Sequence, residues 1–138
     1  EGEFYVEPEM LAEALAHRGS CNLVHLKTGV KVDLFVKGSS AFDRAEFEHR
    51  QLVPLVIGQR QHSVFVKSAE DTVLRKLLWY ELGGRASDRQ WSDLLGVVRT
   101  QGDRLDLAYV RRWADDLGLR ELLDELVRQE GMAGAQVL

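Results

Sequence analysis

The chain has a single cysteine, Cys21, in 138 residues. One thiol makes no internal disulfide, and a cysteine zinc site needs further ligands. Cys21 lies in an apolar stretch, so it is expected to be a buried packing residue rather than an activated nucleophile. There are only two prolines, Pro8 and Pro54, which leaves no long extended linker. No run of about 18 apolar residues is present, so no membrane helix is expected, and no signal peptide opens the chain. Nor is there a cluster of basic residues. The 18 Lys and Arg are spread along a chain of net charge -4, the pattern of a solvated surface of mixed sign rather than of a basic nucleic-acid footprint. The location expected from these features is cytoplasmic, with no membrane partner.

What the chain does contain is ordinary for a folded domain: 45% hydrophobic and 29% charged residues, in a length that supports one core without staples. The first half reads as strands with one helix. Phe4 to Val6 is a short strand candidate. Pro8 suits a first helical turn, with Met10, Leu11, Ala14 and Leu15 on one side and Gly19 as the stop. Cys21 to Lys27 and Val30 to Val36 flank Thr28-Gly29 and predict a hairpin. Ala41 to Arg50 predicts a short polar helix, with Asp43, Glu46 and Glu48 on its surface. Leu52 to Ile57 and His62 to Val66 predict a second strand pair. Pro54 makes its strand an edge or a bulge.

The second half reads as helices. Ser68 and Asp71 form a capping box, as do Ser87 and Gln90. Val73, Leu74, Leu77, Leu78 and Leu82 make the first apolar stripe. Trp91, Leu94, Leu95 and Val98 make the second. Asp103 and Asp106 open a third helix carrying Val110, Trp113 and Leu117. Leu119, Leu122, Leu123, Leu126 and Val127 stripe a fourth. The expected fold is α+β: a mixed β-sheet with helices packed on it, followed by a C-terminal helical segment. Residues 1–67 form the sheet-rich part, residues 68–130 the helical part of the same compact unit, and residues 131–138 a frayed tail.

Asp33 is the leading candidate for chemistry. It interrupts the apolar strand from Val30 to Val36, and a charge among apolar neighbours is costly unless paired or metal-bound. Its face also carries Lys31 and Lys37, so a solvated strand face is the competing reading. Lys76 sits mid-helix among Val73, Leu77 and Tyr80. It could meet a phosphate as a point charge, or snorkel from an apolar border. Arg75 reads as solvent-facing. Arg85, Asp88, Arg89 and Asp93 read as an ion-pair cluster. The four histidines have no metal-ligand spacing, and His25 reads as a satisfied sheet or edge histidine. Neither a phosphate-binding glycine loop nor a nucleophile elbow is present.

Three segments together resemble nucleotidyltransferase-like proteins of the AbiEii toxin type: Asn22 to Val36, Ser68 to Trp79, and Ser87 to Gly96. The resemblance covers about residues 4–128. It implies a polymerase-β-like nucleotidyltransferase fold and Mg²⁺-dependent transfer of a nucleotide from an NTP to an acceptor, in some members a tRNA end. Asp33 matches the family's third metal-binding carboxylate and is thereby the implied catalytic residue. Lys76 matches a lysine of the following helix and is the implied substrate-binding residue. The family's Gly-Ser loop and Asp-x-Asp pair would precede Glu1. The expectation is therefore a C-terminal portion of such a protein, inactive as this chain alone. The alternative is a non-catalytic binding or regulatory module that keeps the fold without the site. A third reading is an interaction domain built on the helices of Trp91 and Trp113. The partners implied are Mg²⁺-NTP and an RNA acceptor in the intact form, and a homodimer or an antitoxin.

Overall fold

The computed structural model describes residues 3–131. It is an α+β protein. Its chain divides into two compact units, residues 1–44 and 45–138.

In the first unit, β1 (Phe4–Tyr5), α1 (Pro8–His17), β2 (Ser20–His25) and β3 (Lys31–Phe35) follow in order. Pro8 opens α1 because its missing N–H is not needed in a first turn. The helix stops at Arg18, which takes the left-handed conformation (φ 53°), one residue before the expected Gly19. The three strands form one antiparallel sheet in the order β1-β2-β3. Its hairpin register pairs Cys21 with Leu34 and Asn22 with Asp33. Gly29 turns that hairpin at φ +69°, and its N–H donates to the His25 carbonyl at 2.8 Å. Cys21 is buried on the central strand, as its apolar setting implies. Every residue of β3, by contrast, is exposed, and so are Met10 and Leu15. The apolar alternation of β3 therefore faces no second layer among the described residues.

The boundary between the two units falls within helix α2 (Ala41–Glu48). Ser40 and Asp43 start it reciprocally. The Asp43 N–H donates to Ser40 Oγ at 3.0 Å, and the Ser40 N–H donates to Asp43 Oδ2 at 2.9 Å. Gly38 makes room for this pair: a Cβ there would lie 2.1 Å from Asp43 Oδ2. Asp43 is thus a cap rather than a free surface carboxylate.

The second unit begins with β4 (Gln51–Ile57) and β5 (Arg60–Val66), an antiparallel hairpin closed at Gly58-Gln59. The ladder runs through Arg60, two residues further toward the turn than the composition indicated. Pro54 pairs in register with Ser63 without a bulge, as proline does where its nitrogen lies on an open edge. The sheets are thus two small antiparallel pieces rather than one mixed sheet. In the β2–β3 and β4–β5 hairpins the physical reason is connectivity: consecutive strands joined by tight turns can only pair antiparallel.

Four helices complete the unit: α3 (Ala69–Leu82), α4 (Asp88–Gln101), α5 (Leu107–Asp116) and α6 (Arg120–Gln129). Ser68, Ser87 and Asp106 cap the first three through the N–H groups of Asp71, Gln90 and Tyr109. Asp103 falls instead in a single 3₁₀ turn, Gly102–Arg104. The stripes converge on a core of Val73, Leu74, Leu77, Leu94, Val98, Val110, Ala114, Leu119, Leu122, Leu123, Leu126 and Val127. Each large side chain there contributes about 1.5–3 kcal/mol by leaving water. Leu82, expected in the stripe, is exposed in the last turn of α3. The last strand ends at Val66 and α3 begins at Ala69, whereas the compact units divide at 44/45 and the β4–β5 hairpin goes with the helices. Residues 132–138, most of the expected frayed tail, lie outside the described residues. No helix of the described residues is long and apolar enough to cross a membrane.

Candidate functional site

Asp33 is the middle residue of β3, opposite Asn22 on β2. It belongs to the first unit and Lys76 to the second. The Asp33 side chain is exposed and makes no hydrogen bond or ion pair among the described residues. Aspartate is among the residues least suited to a strand. Here the unfavourable choice is not offset by any partner among the described residues.

Lys76 lies on α3, where its ammonium meets Asp93 Oδ2 of α4 at 3.3 Å. The pair is 30% and 53% exposed, a range in which ion pairs contribute below about 1 kcal/mol. The amine is therefore held only weakly and could be taken over by a stronger anion. Asp93 is drawn out of the cluster expected around Arg85, and Arg85 pairs instead with Glu81.

One carboxylate does not make a Mg²⁺ site, because this ion is held on phosphates by several oxygens. Among the described residues no group of three His, Cys, Asp or Glu is placed to bind a metal. The residues present do not fit the ion on their own.

Sequence reasoning missed two arrangements. The first is a relay between helices. Tyr109 of α5 donates its hydroxyl to Asp71 Oδ1 at 2.8 Å, and Ser68 Oγ donates to Asp71 Oδ2 at 2.8 Å. His49 Nδ1 lies 2.7 Å from the Tyr109 oxygen. Because the hydroxyl has one proton and gives it to the carboxylate, Nδ1 must carry the proton of this contact. Asp71 is fully buried, and these donors satisfy it. Burial, and then the hydrogen bond and charge of Asp71, raise the Tyr109 pKa above the usual tyrosine value.

The relay borders an open cleft of about 300 Å³ lined by His49, Gln51, Ser68, Glu70, Asp106 and Tyr109. Its acidic groups are already engaged: Glu70 Oε1 accepts the Asp106 N–H at 3.0 Å, and Asp106 Oδ1 accepts the Tyr109 N–H at 2.9 Å. The cleft is a junction of helix starts more than a ligand pocket.

The second arrangement is a clamp on Glu46. Arg75 grips it with two hydrogen bonds, Nε to Oε1 at 3.1 Å and Nη2 to Oε2 at 2.6 Å. Lys67 Nζ lies 2.6 Å from Oε1. Glu46 and Arg75 are only 15% and 16% exposed, so neither is the solvent-facing group their positions implied. Burial works to raise the Glu46 pKa, but the two cations outweigh it and hold the carboxyl below its usual value.

The remaining candidates make local contacts. His25 Nδ1 meets Thr28 Oγ1 at 2.7 Å, and its ring packs on Phe4. Trp91 is half-buried, donates to Gln129 Oε1 at 2.9 Å and packs against Tyr80. Trp113 is half-buried as well.

Comparisons with models of known protein families, with curated proteins and with solved structures give no match for this chain.

Proposed function

We propose that this chain is a portion of a nucleotidyltransferase-like protein, the part that follows the Gly-Ser loop and the Asp-x-Asp pair in the family's order. In the intact protein Asp33 would join other carboxylates in holding Mg²⁺-NTP. Lys76 would face the triphosphate, and the acceptor would be an RNA end. A cytoplasmic location goes with this reading.

The observation that carries the proposal is the state of Asp33. Asp33 stands at the centre of an exposed strand without a hydrogen bond or ion pair among the described residues, so its carboxylate is open to a cation. Asp43, Glu46, Asp71 and Asp106, by contrast, each cap a helix or complete a network. The order strand, hairpin, helices and the resemblance of three segments support the same reading. Lys76 adds a cation whose present partner is weak.

The experiment is nucleotide binding by the natural gene product, measured by calorimetry with Mg²⁺-NTP. Lys76→Gln is expected to weaken binding about tenfold or more, the scale of one charge-assisted phosphate contact. Asp93→Asn frees Lys76 and is expected to leave affinity equal or higher. Unchanged affinity in Lys76→Gln would remove that residue from the site.

A second reading, the non-catalytic binding module, is favoured by one observation. Val32, Leu34 and Phe35 on β3 and Leu52, Val56 and Ile57 on β4 are large, apolar and exposed, the kind of surface that marks interaction sites.

A further inference from the structure

Strand β3 is an edge of its sheet among the described residues, since the order is β1-β2-β3, and every one of its residues is exposed. The ladder to β2 fixes which of its backbone groups point outward. The His25 N–H donates to the Val30 carbonyl at 2.8 Å, and the Val36 N–H donates to the Gly19 carbonyl at 2.9 Å. Hydrogen-bonded pairs alternate along an antiparallel ladder, so in the register of this hairpin Val32 and Leu34 bond inward as well. The N–H and C=O groups of Lys31 and Asp33 therefore point away from β2, toward the open edge. Such a row of backbone groups is a template for another strand.

The side chains select that strand. Lys31 and Asp33 share one face of β3, and Val30, Val32 and Leu34 share the other. Val30, Val32 and Leu34 are exposed. An antiparallel second copy of β3, related by a two-fold axis at Val32, sets Lys31 of each copy opposite Asp33 of the other. On the other face Val30 then meets Leu34, and Val32 meets its own copy. Each Lys31–Asp33 pair exchanges both of its N–H···O bonds. Opposite charges directly across a ladder stabilise it, and like charges destabilise it. Sliding the register by two residues in either direction brings Asp33 onto Asp33 or Lys31 onto Lys31, so the charges fix the alignment. The other edge strands lack this complementarity. Strands β1 and β4 carry no charged residue, and β5 carries Arg60 and His62 without an acid.

We infer that two copies of this chain pair through β3, antiparallel and two-fold about Val32, to make one continuous sheet. A contact of this symmetry needs a surface complementary to itself, and Lys31-Val32-Asp33 is such a surface. The inference does not rest on nucleotide transfer. It calls on the same carboxylate, Asp33, but it is read from mass rather than from activity. The edge is short compared with the area that a stable interface buries, so the expected dissociation constant is on the order of 10–100 µM.

The 138-residue chain is followed by sedimentation velocity from about 1 µM to about 1 mM. A concentration-dependent change from monomer to dimer is expected. Asp33→Lys sets like charges across the join twice and should weaken the dimer about tenfold or more, as should Lys31→Asp. Lys31→Asp combined with Asp33→Lys recreates both pairs and should return the constant to within about threefold of wild type. Val32→Cys reports the register independently. Residues opposite each other in a non-hydrogen-bonded pair have Cα atoms about 4.5 Å apart, within reach of a disulfide. Under air this variant should form a reducible covalent dimer. Val30→Cys and Leu34→Cys should not, because each faces the other's position, and the native Cys21 is buried. A monomer at every concentration would overturn the inference. So would a charge-swapped double variant as weak as the single variants, or equal cross-linking from positions 30, 32 and 34, since either outcome shows association without this register.

Discussion

Tyr109 on α5 donates its hydroxyl proton to the carboxylate of Asp71, a fully buried residue in the first turn of α3, at 2.8 Å. This bond joins residues 38 positions apart in sequence and turns a helix cap into a tertiary tie. Ser68 takes one oxygen of Asp71 and Tyr109 the other. Removing the phenol leaves a buried anion one donor short. Tyr109→Phe is expected to destabilise the protein by about 1–3 kcal/mol, read as a lower urea midpoint at unchanged slope. A loss indistinguishable from zero would mean that water replaces the hydroxyl.

The same bond carries a pH signature. Burial and the Asp71 charge favour the neutral phenol, so the folded-state pKa of Tyr109 lies above the unfolded one. The contribution is therefore complete below the ordinary tyrosine value of about 10. It is lost as pH rises from there through the folded-state value. Wild-type stability should fall above about pH 10 more steeply than that of Tyr109→Phe.

Glu46 behaves in the opposite sense. Its folded-state pKa lies below the ordinary value because Arg75 and Lys67 outweigh the effect of burial. Its stabilisation is present above the ordinary glutamate value of about 4.3 and disappears as pH falls through the lower folded value. Arg75→Leu, which leaves a half-buried carboxylate without its bidentate partner, should cost about 1–3 kcal/mol at pH 7 and much less near pH 3. Chemical unfolding at the two pH values measures the difference.

Gly38 is required by a close approach rather than by its backbone angles. A methyl group there would meet the Asp43 carboxylate at 2.1 Å, so Gly38→Ala must push Asp43 away from Ser40. The expected loss is that of a helix cap, about 0.5–2 kcal/mol. Asp43→Ala should show a similar loss, and the double variant little more than either alone, because both act on one cap.

Local features were legible in the sequence. Ser68 with Asp71, Ser87 with Gln90, and Asp106 stand where caps were read, because a cap needs only the next three residues. The stripes of α3, α4 and α6 became core for the same reason: helical spacing alone decides which face is apolar. Ser40 with Asp43 had the same signature but was obscured by the polar run around it. What escaped was long-range. Arg75 and Glu46 are 29 residues apart, and His49 and Tyr109 are 60 apart, and no periodicity links them. Leu82 and the apolar face of β3 were read as buried because patterning shows which side is apolar, not whether another layer covers it.

Asp33→Asn should leave stability within about 0.5 kcal/mol of wild type, since the carboxylate is exposed and has no partner among the described residues. That neutrality makes it a clean probe. The most direct test of the proposed function is transfer of labelled nucleotide from Mg²⁺-NTP to RNA by the natural gene product, comparing wild type with Asp33→Asn. The account predicts transfer by the wild type and its loss in a variant that melts at the same temperature. No transfer by the wild type, or equal transfer by both proteins, would contradict it.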